Sequence, residues 1–186
     1  MYLPFNHKAP IADYKVLLPA CALLLFCQCM AFAQKSREPL TDAEIDELRE
    51  VAQQPEKRIP LYVKYLKARS DKLDRLFDDP RYQADRISQI RELLQDIDSL
   101  VQEMDDNLDT YARGREDLRK PLKDVISLDR NLQTSLHGIQ KKSDTPEGKQ
   151  YAFLLRNALE SVDDSLANAQ KLRQEQEEVF KNEKKK

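Results

Sequence analysis

The chain has 186 residues, enough for one domain with its own hydrophobic core, and 34% of them are charged. Acidic and basic residues nearly cancel to a formal net charge of −2, so there is no basic excess of the kind that favours nucleic acid as a partner. The chain contains only three glycines and no tryptophan, which argues against glycine-rich phosphate-binding loops and favours helix.

The first 33 residues have the pattern of a secretory signal peptide. Lys8 and Lys15 come before an uncharged, mostly apolar segment, residues 16–33, which ends in an Ala-Phe-Ala triplet. A charged region, an apolar region and a small-x-small cleavage site follow one another in this order in exported proteins. We therefore predict a periplasmic or extracellular protein from which residues 1–33 are removed as a signal peptide.

The alternative is an uncleaved signal anchor that holds the protein in the inner membrane, because residues 16–33 are close to the shortest segment that can cross a bilayer. Cleavage before Gln34 would remove all three cysteines, at positions 21, 27 and 29. The mature chain would then have no disulfide and no cysteine-ligated metal. Its membrane contact would be transient and confined to the signal peptide.

Residues 34–40 are predicted to form a flexible leader, and residues 41–180 a single helical bundle domain. Thr41 and Glu44 have the spacing of a capping box, which predicts a short helix from there to about residue 53. A second helix is expected over about residues 56–77, where apolar residues recur on one side.

The third predicted helix, starting near Arg81 or Tyr82, carries the clearest pattern in the chain. Apolar residues alternate at spacings of three and four, and charged or amide side chains occupy most of the positions between them. Such a helix must bury its stripe against partner helices, whereas Asp98, one residue after Ile97, is expected to face water. The seam consists of Ile87, Ile90, Leu94, Ile97, Val101, Met104, Leu108 and Tyr111.

The same register continues past Gly114 into residues 118–139, which leaves two architectures open. In one, the chain reverses before Pro121 and the third and fourth helices pack side by side. In the other, a kinked central helix of about 60 residues is flanked by two helices. Proline inside a helix costs about 3 kcal/mol and glycine about 1 kcal/mol. We therefore predict the reversal and an all-α fold, an elongated antiparallel helical bundle with coiled-coil character.

Asp129 occupies the one seam position of the fourth helix that is not apolar. We expect the helix to rotate there, so that Ile126 and Leu128 face the core and the carboxylate of Asp129 faces solvent. Thr145, followed by proline, predicts the N-cap of the last helix, which fades near residue 180. Residues 181–186 are predicted to be a polar, basic tail.

The residue types that carry catalysis or bind metals do not converge in this sequence. After residue 33 there is one histidine, His137, and no cysteine, Glu-x-x-His pair, calcium loop or nucleotide-binding loop. We therefore expect no catalytic, cofactor-binding or metal site and no nucleic-acid partner. Tyr62 and Tyr65 are candidates for contact with a partner, although tyrosines on a bundle helix more often bury the ring and leave the hydroxyl at the surface.

Residues 40–44, Leu-Thr-Asp-Ala-Glu, resemble the Leu-Thr-x-x-Gln element of small periplasmic helical chaperones, with Glu44 in place of the glutamine. The resemblance covers five residues that also satisfy a capping box. The sequence predicts an exported, non-catalytic protein that acts through protein–protein interaction in the cell envelope, in a structural or scaffolding role. The alternative is a chaperone-like binder of unfolded or envelope proteins, and an enzyme is a more distant one. The sequence does not identify the protein partner, and it is compatible with a homo-oligomer.

Overall fold

A computed structural model describes residues 37–78 and 85–183 of the chain. Within these residues the chain forms five α-helices and no β-strand, so the predicted all-α class is confirmed. The described elements belong to one compact unit, Glu38–Lys186; the predicted signal peptide and the predicted start of the third helix at Arg81 or Tyr82 lie outside the described residues. The helices are α1 (Asp42–Glu50), α2 (Pro55–Asp78), α3 (Arg86–Arg113), α4 (Pro121–Lys142) and α5 (Ala152–Glu183).

The capping box that starts α1 is present. The Thr41 hydroxyl accepts the Glu44 N–H at 3.3 Å, and the Glu44 carboxylate accepts the Thr41 N–H at 2.9 Å, so two backbone donors at the helix start are satisfied. Leu40, immediately before the box, is buried in the core. The segment 34–40, predicted to be a flexible leader, therefore ends inside the packed unit.

Helices α2 to α5 form a four-helix bundle made of two helical hairpins. Close backbone contacts join α2 to α3, α3 to α5, α5 to α4 and α4 to α2. The α2–α3 hairpin and the α4–α5 hairpin therefore lie beside one another, with α2 next to α4 and α3 next to α5. None of the helices is long and apolar enough to cross a bilayer, within the part of the chain that the structure describes.

Hydrogen bonds between helices establish the direction of each pair. Asp98 and Asp105 of α3 accept from Ser161 and Ser165 of α5 in the same order along both helices, so α3 and α5 run parallel. Within each hairpin the two helices are antiparallel. Consecutive helices thus alternate in direction. The prediction that α3 and α4 lie side by side is wrong: they face one another across a diagonal of the bundle, because α5 occupies the place next to α3.

The chain reverses between α3 and α4, as predicted, so a single continuous helix over these residues is excluded. Helix α3 ends at Arg113, and the Gly114 N–H still bonds to the Thr110 carbonyl at 3.1 Å. In the turn that follows α3, Arg115 adopts the left-handed conformation, with φ of 62°. Pro121 is the first residue of α4, where its missing N–H breaks no helical hydrogen bond.

The core lies along the bundle between the four long helices. Six residues of the predicted seam, Ile90, Leu94, Ile97, Val101, Met104 and Leu108, are buried, and Ile87 and Tyr111 are half-buried. Leu93 and Leu100 are buried as well, because α3 packs against both α2 and α5, so the buried face is wider than the predicted stripe. Asp98 was expected to face water, but it is half-buried and accepts a hydrogen bond from Ser161.

Helix α5 starts later than predicted. The Thr145 hydroxyl accepts the Gly148 N–H at 3.0 Å, but Gly148 is the first residue of a short 3₁₀ turn, Gly148–Gln150, and the helix itself begins at Ala152. Gly148 lies so close to Ser143 that a Cβ atom there would meet the Ser143 carbonyl oxygen at 1.9 Å. At its other end α5 continues to Glu183, into the segment 181–186 predicted to be a tail.

Candidate functional site

A groove of about 390 Å³ lies between α2 and α4 and opens to solvent; we call it the α2–α4 groove. Its floor is apolar and consists of Val63 from α2 and Leu128 and Leu132 from α4. The two leucines also belong to the core, so the groove ends directly on the packed interior of the bundle. Its volume falls within the range of roughly 300–1,000 Å³ that is usual for ligand pockets.

Small polar side chains keep this groove open. Ser127, Asn131 and Ser135 follow one another at intervals of four residues, which places them on one face of α4, and Ser70 lies opposite on α2. These side chains are too short to fill the space between two helices. The pairing of α2 with α4 is therefore incompletely packed at its outer surface, whereas the core beneath it is closed.

The wall of the α2–α4 groove is mainly acidic. Asp71 and Asp74 of α2 and Asp124 of α4 face it, together with a single basic residue, Lys67. The Ser135 hydroxyl donates to Asp74 at 2.6 Å, which fixes that carboxylate between the two helices. Three carboxylates and one ammonium group make the groove suited to a basic side chain rather than to an acidic one.

Another side of α2 already holds a helix, namely α1. Leu48 of α1 is buried against the core, and the Arg69 guanidinium of α2 binds the Glu44 carboxylate of α1. That hydrogen-bonded guanidinium lowers the pKa of Glu44. Nearby, Glu47 accepts a hydrogen bond from Tyr65 at 2.7 Å. Helix α1 thus binds α2 through a leucine flanked by hydrogen-bonded charged groups.

Two carboxyl groups, one on the fully buried Asp129 and one on the half-buried Asp105, meet between α3, α4 and α5 at a position that the sequence did not predict. The fully buried Ser165 hydroxyl of α5 is 2.8 Å from Asp105 Oδ1 on α3 and 3.2 Å from Asp129 Oδ2 on α4. The other oxygen of Asp129, Oδ1, is buried and has no hydrogen-bond partner. We call Asp105, Ser165 and Asp129 the buried carboxyl cluster.

The expectation that Asp129 faces solvent is wrong, and helix geometry gives the reason. Successive residues of an α-helix are 100° apart, so Asp129 lies within the arc that runs from Leu128 to Ile126. Because both of these residues are buried against neighbouring helices, the position between them is buried too, and Asp129 has 0% of its surface exposed.

Burial changes the acidity of both carboxyl groups. It raises the pKa of Asp129 to about 7, and the charge of Asp105 adds to this increase. It raises the pKa of Asp105 to about 6; the Ser165 hydrogen bond lowers this pKa, whereas the charges of Asp109, Asp106 and Asp164 raise it. The cluster therefore titrates near neutral pH, where ordinary carboxyl groups are fully ionised.

A second, acidic cavity of about 370 Å³ lies between α3 and α5 and reaches Asp105. Its lining includes the carboxylates of Asp98, Glu160 and Asp164 in addition to Asp105. Among the described residues, no three histidine, cysteine, aspartate or glutamate side chains are arranged to hold a metal ion. What the cavity does provide is a negative electrostatic environment that favours protonation of Asp105.

Tyr62 and Tyr65, the residues proposed from sequence for partner contact, both have buried rings. The Tyr62 hydroxyl donates to Glu103 of α3 at 2.6 Å, and burial followed by this bond raises the Tyr62 pKa to about 12. The Tyr65 hydroxyl donates to Glu47 of α1, and burial raises its pKa as well. Each tyrosine thus joins α2 to a neighbouring helix, and neither ring is presented at the surface.

The remaining sequence candidate, His137, is exposed on α4 with its Nδ1 atom 3.2 Å from the Gln140 side-chain oxygen. Comparison of the chain with protein-family models, with curated proteins and with solved structures finds no match. The functional argument therefore depends on the two features described above, the α2–α4 groove and the buried carboxyl cluster. The four-residue spacing of Ser127, Asn131 and Ser135 is the sequence signal that could have revealed the groove.

Proposed function

We propose that this chain is an exported, non-catalytic helical protein of the cell envelope that acts by binding another protein, in a structural or scaffolding role. The proposal of export rests on the signal-peptide pattern of residues 1–33. The proposal of protein binding rests on one observation, the α2–α4 groove, and this groove is the surface to which we assign the partner.

The groove combines the two features by which proteins recognise a short segment of another chain. Val63, Leu128 and Leu132 provide an apolar floor, and burying an apolar side chain of the partner there supplies affinity. The acidic wall supplies selectivity, because a partner that lacks a cation would leave Asp71 and Asp124 desolvated without compensation. The partner we propose is therefore a protein segment that presents an apolar side chain with lysine or arginine beside it.

The chaperone-like alternative would use a different kind of surface. A binder of unfolded proteins requires a broad exposed apolar area. The described residues with large exposed apolar side chains are Phe153, 64% exposed, and Val179, 55% exposed. They are 26 positions apart on α5, about 39 Å along the helix axis, so they do not form one patch. The α2–α4 groove is the more specific surface, and it is acidic.

Site-specific photo-crosslinking in the producing cells tests the proposal. A photoreactive phenylalanine analogue is placed at Asn131, in the groove, and in a separate strain at Gln170, an exposed position on α5. We expect one discrete adduct from position 131 and none of the same mass from position 170. Mass spectrometry of the adduct should identify a partner segment that contains lysine or arginine.

A charge reversal in the groove wall tests whether the partner binds through a basic side chain. Asp124→Lys changes the groove wall without changing the core, so it should abolish the adduct formed at position 131 in a protein that stays folded. Because Asp124 lies in the first turn of α4, where the helix dipole favours an acid, we expect the melting temperature to fall slightly. A heterogeneous smear of adducts that increases under unfolding stress would instead support the chaperone. Equal adducts from positions 131 and 170, or an adduct that survives Asp124→Lys, would refute the groove as the binding surface.

A further inference from the structure

The contacts of the buried carboxyl cluster require one more proton than the cluster has when both aspartates are ionised. Ser165 has one hydroxyl proton, yet its oxygen lies within hydrogen-bond distance of a carboxylate on each side, at 2.8 Å from Asp105 and 3.2 Å from Asp129. One proton can be donated to only one of them. If both aspartates were ionised, the second contact would bring a hydroxyl lone pair against a carboxylate lone pair.

We propose that Asp105, Ser165 and Asp129 form a proton-binding site that joins α3, α4 and α5 and makes the stability of the bundle depend on pH near neutrality. The bound proton resides on Asp129 Oδ2 and is donated to the Ser165 oxygen. The Ser165 hydroxyl then donates to Asp105, so all three groups are joined in one chain of hydrogen bonds. The unpartnered Oδ1 atom of Asp129 is then the oxygen of a neutral carboxyl group, which is far less costly to bury than half of a carboxylate.

The charged groups around the cluster favour the same state. Asp106 and Asp109 on α3 and Asp164 on α5 are the charges that act on Asp105, and all three are acids. On the α4 side, Asp105 is the charge that acts on Asp129. No cation among these groups compensates a second negative charge in the cluster, so the proton supplies the compensation.

Five charged residues of α2, the helix that packs against both α3 and α4, have contacts away from the cluster. Lys67, Asp71 and Asp74 face the α2–α4 groove, and Arg69 is paired with Glu44 of α1. Arg58 contacts Tyr62 on the side of α2 that faces Glu103. None of these residues is among the groups that shift the pKa of Asp129.

The sign of the pH effect follows from linkage. In an unfolded chain both aspartates titrate near pH 4, whereas in the folded bundle burial raises their pKa values to about 6 and about 7. Because the folded state holds protons that the unfolded state has released, the contribution of this cluster to stability is fully present below about pH 4 and is lost as pH rises through 6 to 7. Above that range the second charge appears between the three helices, and α5, which contributes the bridging hydroxyl, is loosened.

Chemical unfolding of the full chain at pH 5 and at pH 8 tests this proposal. We expect the folding equilibrium constant of the wild type to fall on the order of tenfold or more between the two values. Asp129→Asn keeps the size of the side chain and removes its charge, so this fall should become clearly smaller; the part that remains is due to Asp105, whose pKa is raised by its own burial and by Asp106, Asp109 and Asp164. Glu178→Gln, which neutralises an exposed acid on α5, serves as the control and should retain the fall of the wild type.

Direct titration of the aspartate side-chain carbons by NMR provides a second measurement, which on the wild-type chain does not depend on whether a variant folds. The wild-type chain should show two aspartates that titrate above pH 5. In Asp105→Asn, the pKa of Asp129 should decrease because the neighbouring negative charge is gone. If every aspartate titrates below pH 5, or if Asp129→Asn folds and keeps the pH dependence of the wild type, the proton-binding site is refuted.

Discussion

The guanidinium of Arg69 on α2 donates two hydrogen bonds to Glu44 of α1, one to each carboxylate oxygen, and it also donates to the Pro39 carbonyl at 3.0 Å. Only 13% and 16% of the two side chains are exposed. The pairing lowers the pKa of Glu44 and raises that of Arg69. Glu44 also closes the capping box, so one carboxylate both starts α1 and attaches it to the bundle.

Replacing this arginine should release α1. We expect Arg69→Ala to lower the free energy of unfolding by about 3 kcal/mol, because it leaves a largely buried carboxylate without its partner. Hydrogen exchange should show the loss of protection concentrated in residues 42–50. Arg49→Ala, which breaks an exposed pair with Asp46, is the matched control and should cost no more than about 1 kcal/mol. Equal decreases in the free energy of unfolding of the two variants would contradict the proposal that Arg69 attaches α1 to the bundle.

The same pair predicts a response to acid. The pKa of Glu44 is lowered in the folded state, so its contribution to stability is present above the usual pKa of a glutamate and is lost as pH falls below it. Wild-type protein should therefore lose protection of α1 below about pH 4. Glu44→Gln should show no such acid-dependent loss, as measured by hydrogen exchange corrected for the intrinsic effect of pH.

Two glycines should respond in opposite ways to alanine. A Cβ atom at Gly148 would meet the Ser143 carbonyl oxygen at 1.9 Å, so Gly148→Ala must displace the turn before α5 and should cost about 2 kcal/mol. Gly138 lies inside α4 with nothing within 4 Å of the added atom. Gly138→Ala should stabilise the protein by about 0.5–1 kcal/mol. Thermal melts of both variants test these two expectations. A melting temperature that falls in Gly138→Ala but not in Gly148→Ala would contradict both.

The centre of the seam provides a test of the core. Ile97 has no exposed surface, so Ile97→Asp places an unpaired charge in the interior. It should lower the free energy of unfolding by several kcal/mol, which is roughly the total free energy of unfolding of a small domain. Asp98→Ala should cost about 1 kcal/mol, because it removes an acceptor used by Ser161 and Gln102. Thermal unfolding followed by circular dichroism distinguishes the two variants. Equal melting temperatures for Ile97→Asp and wild type would contradict the placement of Ile97 in the core.

The mature chain is predicted to begin at Gln34. The Ala-Phe-Ala triplet at residues 31–33 provides the small residues that signal peptidases require. Intact mass and N-terminal sequencing of the exported protein measure the cleavage position. A protein that retains residues 16–33 and fractionates with membranes would establish the anchored alternative in its place.

Local patterns predicted the helices of this protein well. The spacing of Ile90, Leu94 and Ile97 predicted the buried face of α3, and the positions of Gly114 and Pro121 predicted the reversal. These features are local because helix propensity and periodicity depend on residues within one or two turns. The placement of α4 across the diagonal could not be predicted in this way, since an apolar stripe indicates that a face is buried but not which helix covers it.

The candidate sites were harder to predict for the same reason. Asp129 differs from its apolar neighbours in the seam, but its burial depends on helices on both sides of α4. Its contacts are with Ser165, 36 positions away, and through it with Asp105. The α2–α4 groove likewise depends on Ser70 and Ser127 belonging to helices that lie side by side. The spacing of Ser127, Asn131 and Ser135 marks one side of the groove within α4, but neither the position of α2 opposite it nor the contact of Asp129 with Ser165 is visible within a window of one helix.

The arrangement of two hairpins side by side has a consequence for how the protein folds. Each hairpin forms from contacts between helices that follow one another in the chain, whereas the interface between them pairs residues about sixty positions apart, such as Asp74 with Ser135 and Asp98 with Ser161. Short-range contacts close at a lower entropic cost than long-range ones. The rate of folding should therefore be set by the docking of the second hairpin on the first, and a chain cut within residues 114–120 retains both hairpins intact, so its two fragments should reassemble.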